Sequence, residues 1–169
     1  MPATTVQLVL GHGASAGAAS MKPWIDALAR RGVSATAPEL PRSNPDKAVD
    51  VFRQAHGANP AAALGGHSFG GRMASLLAAE AAIPALVLLS YPLHRPGHPD
   101  ELRTAHWSSI TCPVLLLSGE RDPFAQLPLL RREVHKLKRA QLFTFPTLGH
   151  GLVPVVDDAA DKIVEFLRG

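Results

Sequence analysis

The sequence is poor in the features that mark disulfide scaffolds, membrane proteins and nucleic-acid binders. It has one cysteine, Cys112, in 169 residues. No intramolecular disulfide can form, which excludes a small cross-linked secreted fold. Cys112 stands before Pro113 at the head of an apolar run and reads as a buried structural thiol. No apolar run approaches the ~20 residues of a membrane-spanning helix. The first, Val6 to Leu10, stops at Gly11, and no basic segment leads it. A signal peptide or membrane anchor is therefore not expected, and a cytoplasmic protein is. Neither charge sign dominates, with 17 Lys and Arg against 14 Asp and Glu. The one basic block, Arg131 to Arg139, shares its stretch with Leu127, Leu130, Val134 and Leu137 at helical spacing. It reads as the solvated face of a helix, and no aromatic residues interleave with it, so nucleic acid is not an expected partner.

What the chain does have is a regular alternation of short apolar runs and amphipathic stretches. With 46% apolar residues, no internal repeat and no linker, residues 1–169 read as a single domain with a sizeable core. Strands are expected at 6–10, 33–40, 61–68, 85–92, 114–118 and 141–146. Helices are expected from Ser20, as N-cap, to Arg31, from Asp46 to His56, from Gly71 to Ala82, from Phe124 to Lys138 and from Val155 to Leu167. The stretch from Leu93 to Ile110, with proline, glycine and three histidines, reads as an extended loop. Such alternation implies an α/β fold: about six mainly parallel strands flanked by helices on both faces. Ligand sites in these sheets collect at the carboxyl ends of the strands.

Three of those ends carry chemistry. Gly66-His67-Ser68-Phe69-Gly70 is G-x-S-x-G between a strand and a helix. Glycines there let the turn be tight enough to push the serine out toward a substrate. A serine hydroxyl needs a base, and the base needs an orienting acid. Asp122 follows the 114–118 strand in "GERDP", and His150 follows the 141–146 strand in "TLGHG". The order Ser68, Asp122, His150 is that of the α/β-hydrolase fold. Glu120 is a rival acid, and Asp122 before Pro123 is also a helix N-cap pattern. His67 leaves the backbone in the wrong direction to serve Ser68 and reads as a packed, hydrogen-bonded histidine. Oxyanion donors are expected from the amides of Phe69 and of Ala14 in the "GHGAS" loop. Tyr91, Leu93, Trp107 and Phe124 are expected to line a small, partly apolar substrate pocket. His94, His98 and His106 fit no metal-ligand spacing, so neither a metal nor a cofactor is expected.

Gly11, Gly13 and Ala16 also satisfy G-x-G-x-x-G/A, with Glu39 near the end of the next strand. A dinucleotide-binding protein is thus a rival reading, and a non-catalytic interaction module on the same fold is another. The segments "GHGAS", "GGHSFGGR", "SYPLHRPG" and "LLSGERDPF", with the final Gly-His, resemble those of a small α/β-hydrolase family related to dienelactone hydrolases. The similarity is greatest to the group containing testis-expressed protein 30 and the hydrolase-like domain of an NSL histone acetyltransferase complex subunit. The resemblance spans essentially the whole chain. It implies a minimal α/β-hydrolase core with little or no cap. It also implies a Ser68–His150–Asp122 serine hydrolase acting on an ester, thioester or related acyl bond of a small molecule. Dienelactone hydrolases proper carry cysteine where this chain has Ser68. Oligomeric state is not legible.

Overall fold

Six strands form one parallel sheet in the computed structural model, which describes residues 4–169. They are β1 (Val6–Gly11), β2 (Val33–Thr36), β3 (Ala63–His67), β4 (Leu86–Leu89), β5 (Val114–Gly119) and β6 (Ala140–Phe145). The order across the sheet is β2-β1-β3-β4-β5-β6. The helices are α1 (Lys22–Ala29), α2 (Pro45–Ala58), α3 (Phe69–Ala78), α4 (Leu127–Glu133) and α5 (Val156–Arg168). Of the N-terminal segment, residues 1–3 lie outside the described residues. Among those described, no helix is long and apolar enough to cross a membrane.

Side chains alternate across a strand, so a strand buried on both faces must be apolar throughout. The central strands are: "LVLL" in β4 and "VLLL" in β5. Leu86, Leu88, Val114 and Leu116 enter one core, which Phe52 of α2, Met73 and Leu77 of α3 and Leu130 of α4 complete. Val87, Leu89, Leu115 and Leu117 enter the other, with Trp24 and Leu28 of α1 and Ile163 of α5. Each such side chain contributes about 1.5–3 kcal/mol of burial free energy. The two-layer cover expected from the alternation is present, and among the described residues no cap domain sits over the sheet.

Local chemistry moves several boundaries. Ser20 does not cap α1. Its hydroxyl donates to the Gly17 carbonyl at 2.6 Å inside a short 3-10 turn, and α1 begins after it. The cap at α2 is Asn44, whose side chain accepts the Lys47 amide at 3.1 Å, with Pro45 in the first turn. The expected helix from Phe124 to Lys138 is interrupted. Pro128 has no N–H to give and fits only a first turn, so a helix through it cannot start as early as Phe124, and α4 begins at Leu127. Its end passes into a 3-10 turn, and Leu137 is extended.

The sheet order sets the site. From β1 the chain goes to β2 on one side, then crosses to β3 on the other. The loops leaving β1 and β3 therefore diverge and open a crevice at their carboxyl ends.

Candidate active site

Ser68 is the first residue after β3, and α3 starts at the next position. Its backbone has φ 50° and ψ −117°, a left-handed conformation that costs a residue with a Cβ about 1–3 kcal/mol. Close packing imposes it. A Cβ on Gly66 would stand 2.6 Å from the Gly11 carbonyl oxygen and 2.7 Å from the Gly70 and Gly71 backbone. The elbow is thus pressed against the end of β1, and only glycine admits that approach.

Asp122 and His150 come from neighbouring strands. β5 and β6 run in register to Gly119 and Phe145, and the turns beyond them are stitched together. Glu120 N–H donates to the Phe145 carbonyl at 3.0 Å and Arg121 N–H to Leu148 at 2.9 Å. Asp122 is buried, with its side chain fully covered. One carboxylate oxygen accepts the Phe124 amide at 2.8 Å. It caps this turn rather than α4, whose first residue, Leu127, is five residues on. The other oxygen meets His150 Nδ1 at 2.8 Å. His150 Nε2 lies 2.9 Å from Ser68 Oγ. Glu120, the rival acid, instead accepts the Thr144 hydroxyl at 2.8 Å.

β3 and β6 are separated by two strands, so the His150 loop must reach across the sheet to meet Ser68. Its far end is fastened by His67, whose Nε2–H donates to the His150 carbonyl at 3.0 Å. Burial holds the His67 ring below the ordinary histidine pKa, so it is neutral at pH 7. The histidine expected to be packed and hydrogen-bonded is so, and the bond it makes is to the residue facing Ser68. On its other side, the His150 ring stacks on Phe124, with centroids 4.4 Å apart.

Ser68, His150, Ala14, Phe69 and Phe124 line one cavity of about 690 Å³. The amides of Ala14 and Phe69 have no acceptor among the described residues; at Phe69 this is because the first turn of α3 leaves its leading N–H groups unpaired. The β1 exit loop that carries Ala14 is held by His12, fully buried, which accepts the Leu40 amide at 2.9 Å. Glu39 accepts the Ala18 amide at 2.7 Å and so pins the same loop from below, in place of the ribose contact of the rival reading.

Three expected wall residues are elsewhere. Tyr91, Leu93 and Trp107 do not line this cavity; all are buried in the core beneath it. Tyr91 meets Trp107 edge-on at 4.9 Å between centroids. These side chains turn inward, and His106 of their loop is tied back to Ser75 of α3, while other residues of the same loop face the cavity. The wall has Arg72, Arg95 and Arg103 instead, with Met21, Trp24 and Leu152. The sequence reading missed all three arginines. The histidines of the same loop serve as struts: His94 accepts the Gln126 amide at 3.1 Å, His106 meets Ser75 Oγ at 2.7 Å, and His98 is exposed beside Glu101.

A parallel α/β sheet with a strained serine at a strand-to-helix turn, faced by a histidine and a buried aspartate, is the architecture of an α/β-hydrolase. The family described as alpha/beta hydrolase domain matches residues 35–163, and the chain belongs to it. Among solved structures, it is similar to a monoacylglycerol lipase of Paleococcus ferrophilus, with TM-score 0.82, 17% identity, and 95% of this chain and 93% of that one covered. An esterase of Pyrococcus furiosus gives TM-score 0.83 at 16% identity over 98% of this chain and 82% of its own. A dienelactone hydrolase of Anabaena variabilis gives 0.80 at 18% over 99% and 87%. At these identities the likeness is one of fold.

Proposed function

We propose that the protein is a serine hydrolase that cleaves an ester, thioester or related acyl bond through an acyl-enzyme. The observation that carries this reading is the line of two hydrogen bonds from Ser68 Oγ through the His150 ring to Asp122. In neutral His150 the Nδ1–H donates to Asp122, which leaves the Nε2 lone pair facing the hydroxyl. Ser68 Oγ attacks the acyl carbon while its proton passes to Nε2. The carbonyl oxygen becomes an oxyanion, and the unpaired Ala14 and Phe69 amides supply donors for it. Each such donor is worth about 10² to 10³ in turnover. His150 then returns its proton to the departing oxygen or sulfur. A water molecule repeats the sequence on the acyl-enzyme and frees the acid and Ser68. Buried Asp122 keeps the imidazole in the required tautomer and stabilises its cationic form.

The cavity suits a small acyl group, since ordinary ligand sites span roughly 300–1,000 Å³. A fluorophosphonate probe is expected to label the wild-type protein and not folded Ser68→Ala, with p-nitrophenyl hexanoate turned over by the first alone. Folded wild type that resists the probe would replace this reading with that of a non-catalytic binding module.

A further inference from the structure

We propose that Arg72 and Arg103 form an oxyanion-recognition subsite beside Ser68, so that the preferred acyl substrate carries a carboxylate or phosphate near its scissile bond. This rests on the proposed serine hydrolase reading. Both guanidinium-bearing residues line the cavity that holds Ser68. Arg72 lies four residues after Ser68, and the Arg72 amide donates to the Ser68 carbonyl at 3.0 Å. Ser68 and Arg72 thus both open on the same crevice, one at the turn before α3 and the other on its first turns.

Arg103 arrives from the long loop, and its backbone is held at both groups. Its N–H donates to the Leu93 carbonyl at 2.9 Å, and its C=O accepts the buried Tyr91 hydroxyl at 2.6 Å. The next residue, Thr104, is tied to buried Glu133. Such anchoring is more than a solvated surface arginine needs.

Neither guanidinium has a carboxylate partner within 4 Å among the described residues. The carboxylates of the loop and of the site are committed elsewhere. Glu101 pairs with Arg95 at 2.6 Å, and both Asp122 oxygens are taken by His150 and the Phe124 amide. Arg72 Nε is buried and bonded to nothing. Two partly buried cations in one crevice repel each other. Burial and then Arg72 hold Arg103 below the usual arginine range. Buried charges are ordinarily paired, so the missing partner here is an anion brought by the ligand. The guanidinium fork matches the two oxygens of a carboxylate or phosphate.

The test compares two p-nitrophenyl esters of equal acyl length, the neutral hexanoate and the mono-ester of adipate. Wild type is expected to favour the adipate ester at least tenfold in kcat/KM. Arg72→Gln and Arg103→Gln are each expected to cut that ratio tenfold or more, with Arg103→Lys in between. In parallel, folded Ser68→Ala is titrated calorimetrically with adipate and with inorganic phosphate, then again with Arg103→Gln added. The anion that binds, and is lost with Arg103, identifies the source. If the ester ratio is unmoved by the arginines and Ser68→Ala binds neither anion, the subsite is overturned. If neither ester is cleaved and the probe leaves Ser68 unlabelled, the hydrolase reading fails while the titration still decides the subsite.

Discussion

The cavity wall is built in two contrasting ways. Ser68, Asp122 and His150 stand within five residues of the strand that delivers each of them. Register carries them most of the way, and short stitched turns do the rest. The opposite wall, with Arg95 and Arg103, hangs on the loop between β4 and β5, which has only one 3-10 turn, Trp107–Ser109, of its own. That loop is positioned by side chains: Tyr91 on Arg103, His94 on Gln126, His106 on Ser75 and Thr104 on Glu133. In the first region precision comes from backbone pressed on backbone. In the second it comes from buried Tyr91, Leu93 and Trp107 together with single polar contacts, each polar contact worth about 1 kcal/mol. The chemistry would then tolerate little change, whereas specificity could be altered one contact at a time.

If the comparison holds, glycines in the two regions respond differently. The added methyl of Gly66→Ala meets backbone atoms of β1 and α3 that cannot swing aside. A loss of about 3 kcal/mol is expected, at the upper end for overpacking. Gly97, in the long loop, has φ +77° but nothing within 4 Å of an added Cβ. Gly97→Ala should cost only the left-handed conformation, about 1 kcal/mol. Urea denaturation midpoints measure both. Equal losses would mean that the elbow is no more tightly packed than the loop.

His67 is where the first region depends on a side chain after all. His67→Phe keeps a ring against His150 but removes the donor to its carbonyl. The imidazole then loses the tie that holds it over Ser68. A displacement near 1 Å can cost on the order of 10² in rate. A tenfold or larger fall in kcat, with KM little changed and the melting temperature kept, is expected. Unchanged kcat would show that Asp122 and the stitched turns hold His150 unaided.

This division also accounts for what could be read from the sequence. Ser68, Asp122 and His150 were legible because each follows an apolar run closed by glycine or proline, which gives both a strand and its exit. The sheet itself was legible for the same reason, from "LVLL" and "VLLL". Tyr91, Leu93 and Trp107 were misplaced because a loop without periodicity does not say which way it folds, and apolar side chains were free to join the core. Arg72 had a signal in its spacing from Ser68, but an arginine on a helix is ordinarily solvated. Arg103 had none. Its place depends on a hydrogen bond to Tyr91 that no local pattern announces. The shortening of α4 was readable from Pro128 and was overridden by the regular leucine spacing.

A last expected effect lies in the loop and depends on pH. His106 reaches back to Ser75 of α3, and burial together with nearby Arg72 lowers its pKa to about 4. The Ser75 hydroxyl also donates to the Arg72 carbonyl at 2.6 Å, so the neutral imidazole supplies the N–H of the pair. In the unfolded chain this histidine titrates near ~6.5. Between those values the unfolded state binds more protons than the native state, so stability falls as the pH falls. The contribution is complete above pH ~6.5 and lost by about pH 4. Neutral His67 adds to the trend with the same sign. His106→Gln keeps a donor toward Ser75 and cannot titrate. Its denaturation midpoint should decline less between pH 6.5 and 4 than that of wild type, with the two curves parallel above pH 7. Parallel curves throughout would mean that the loop opens at His106 before the ring takes its proton, and that this polar contact does not hold the loop to α3.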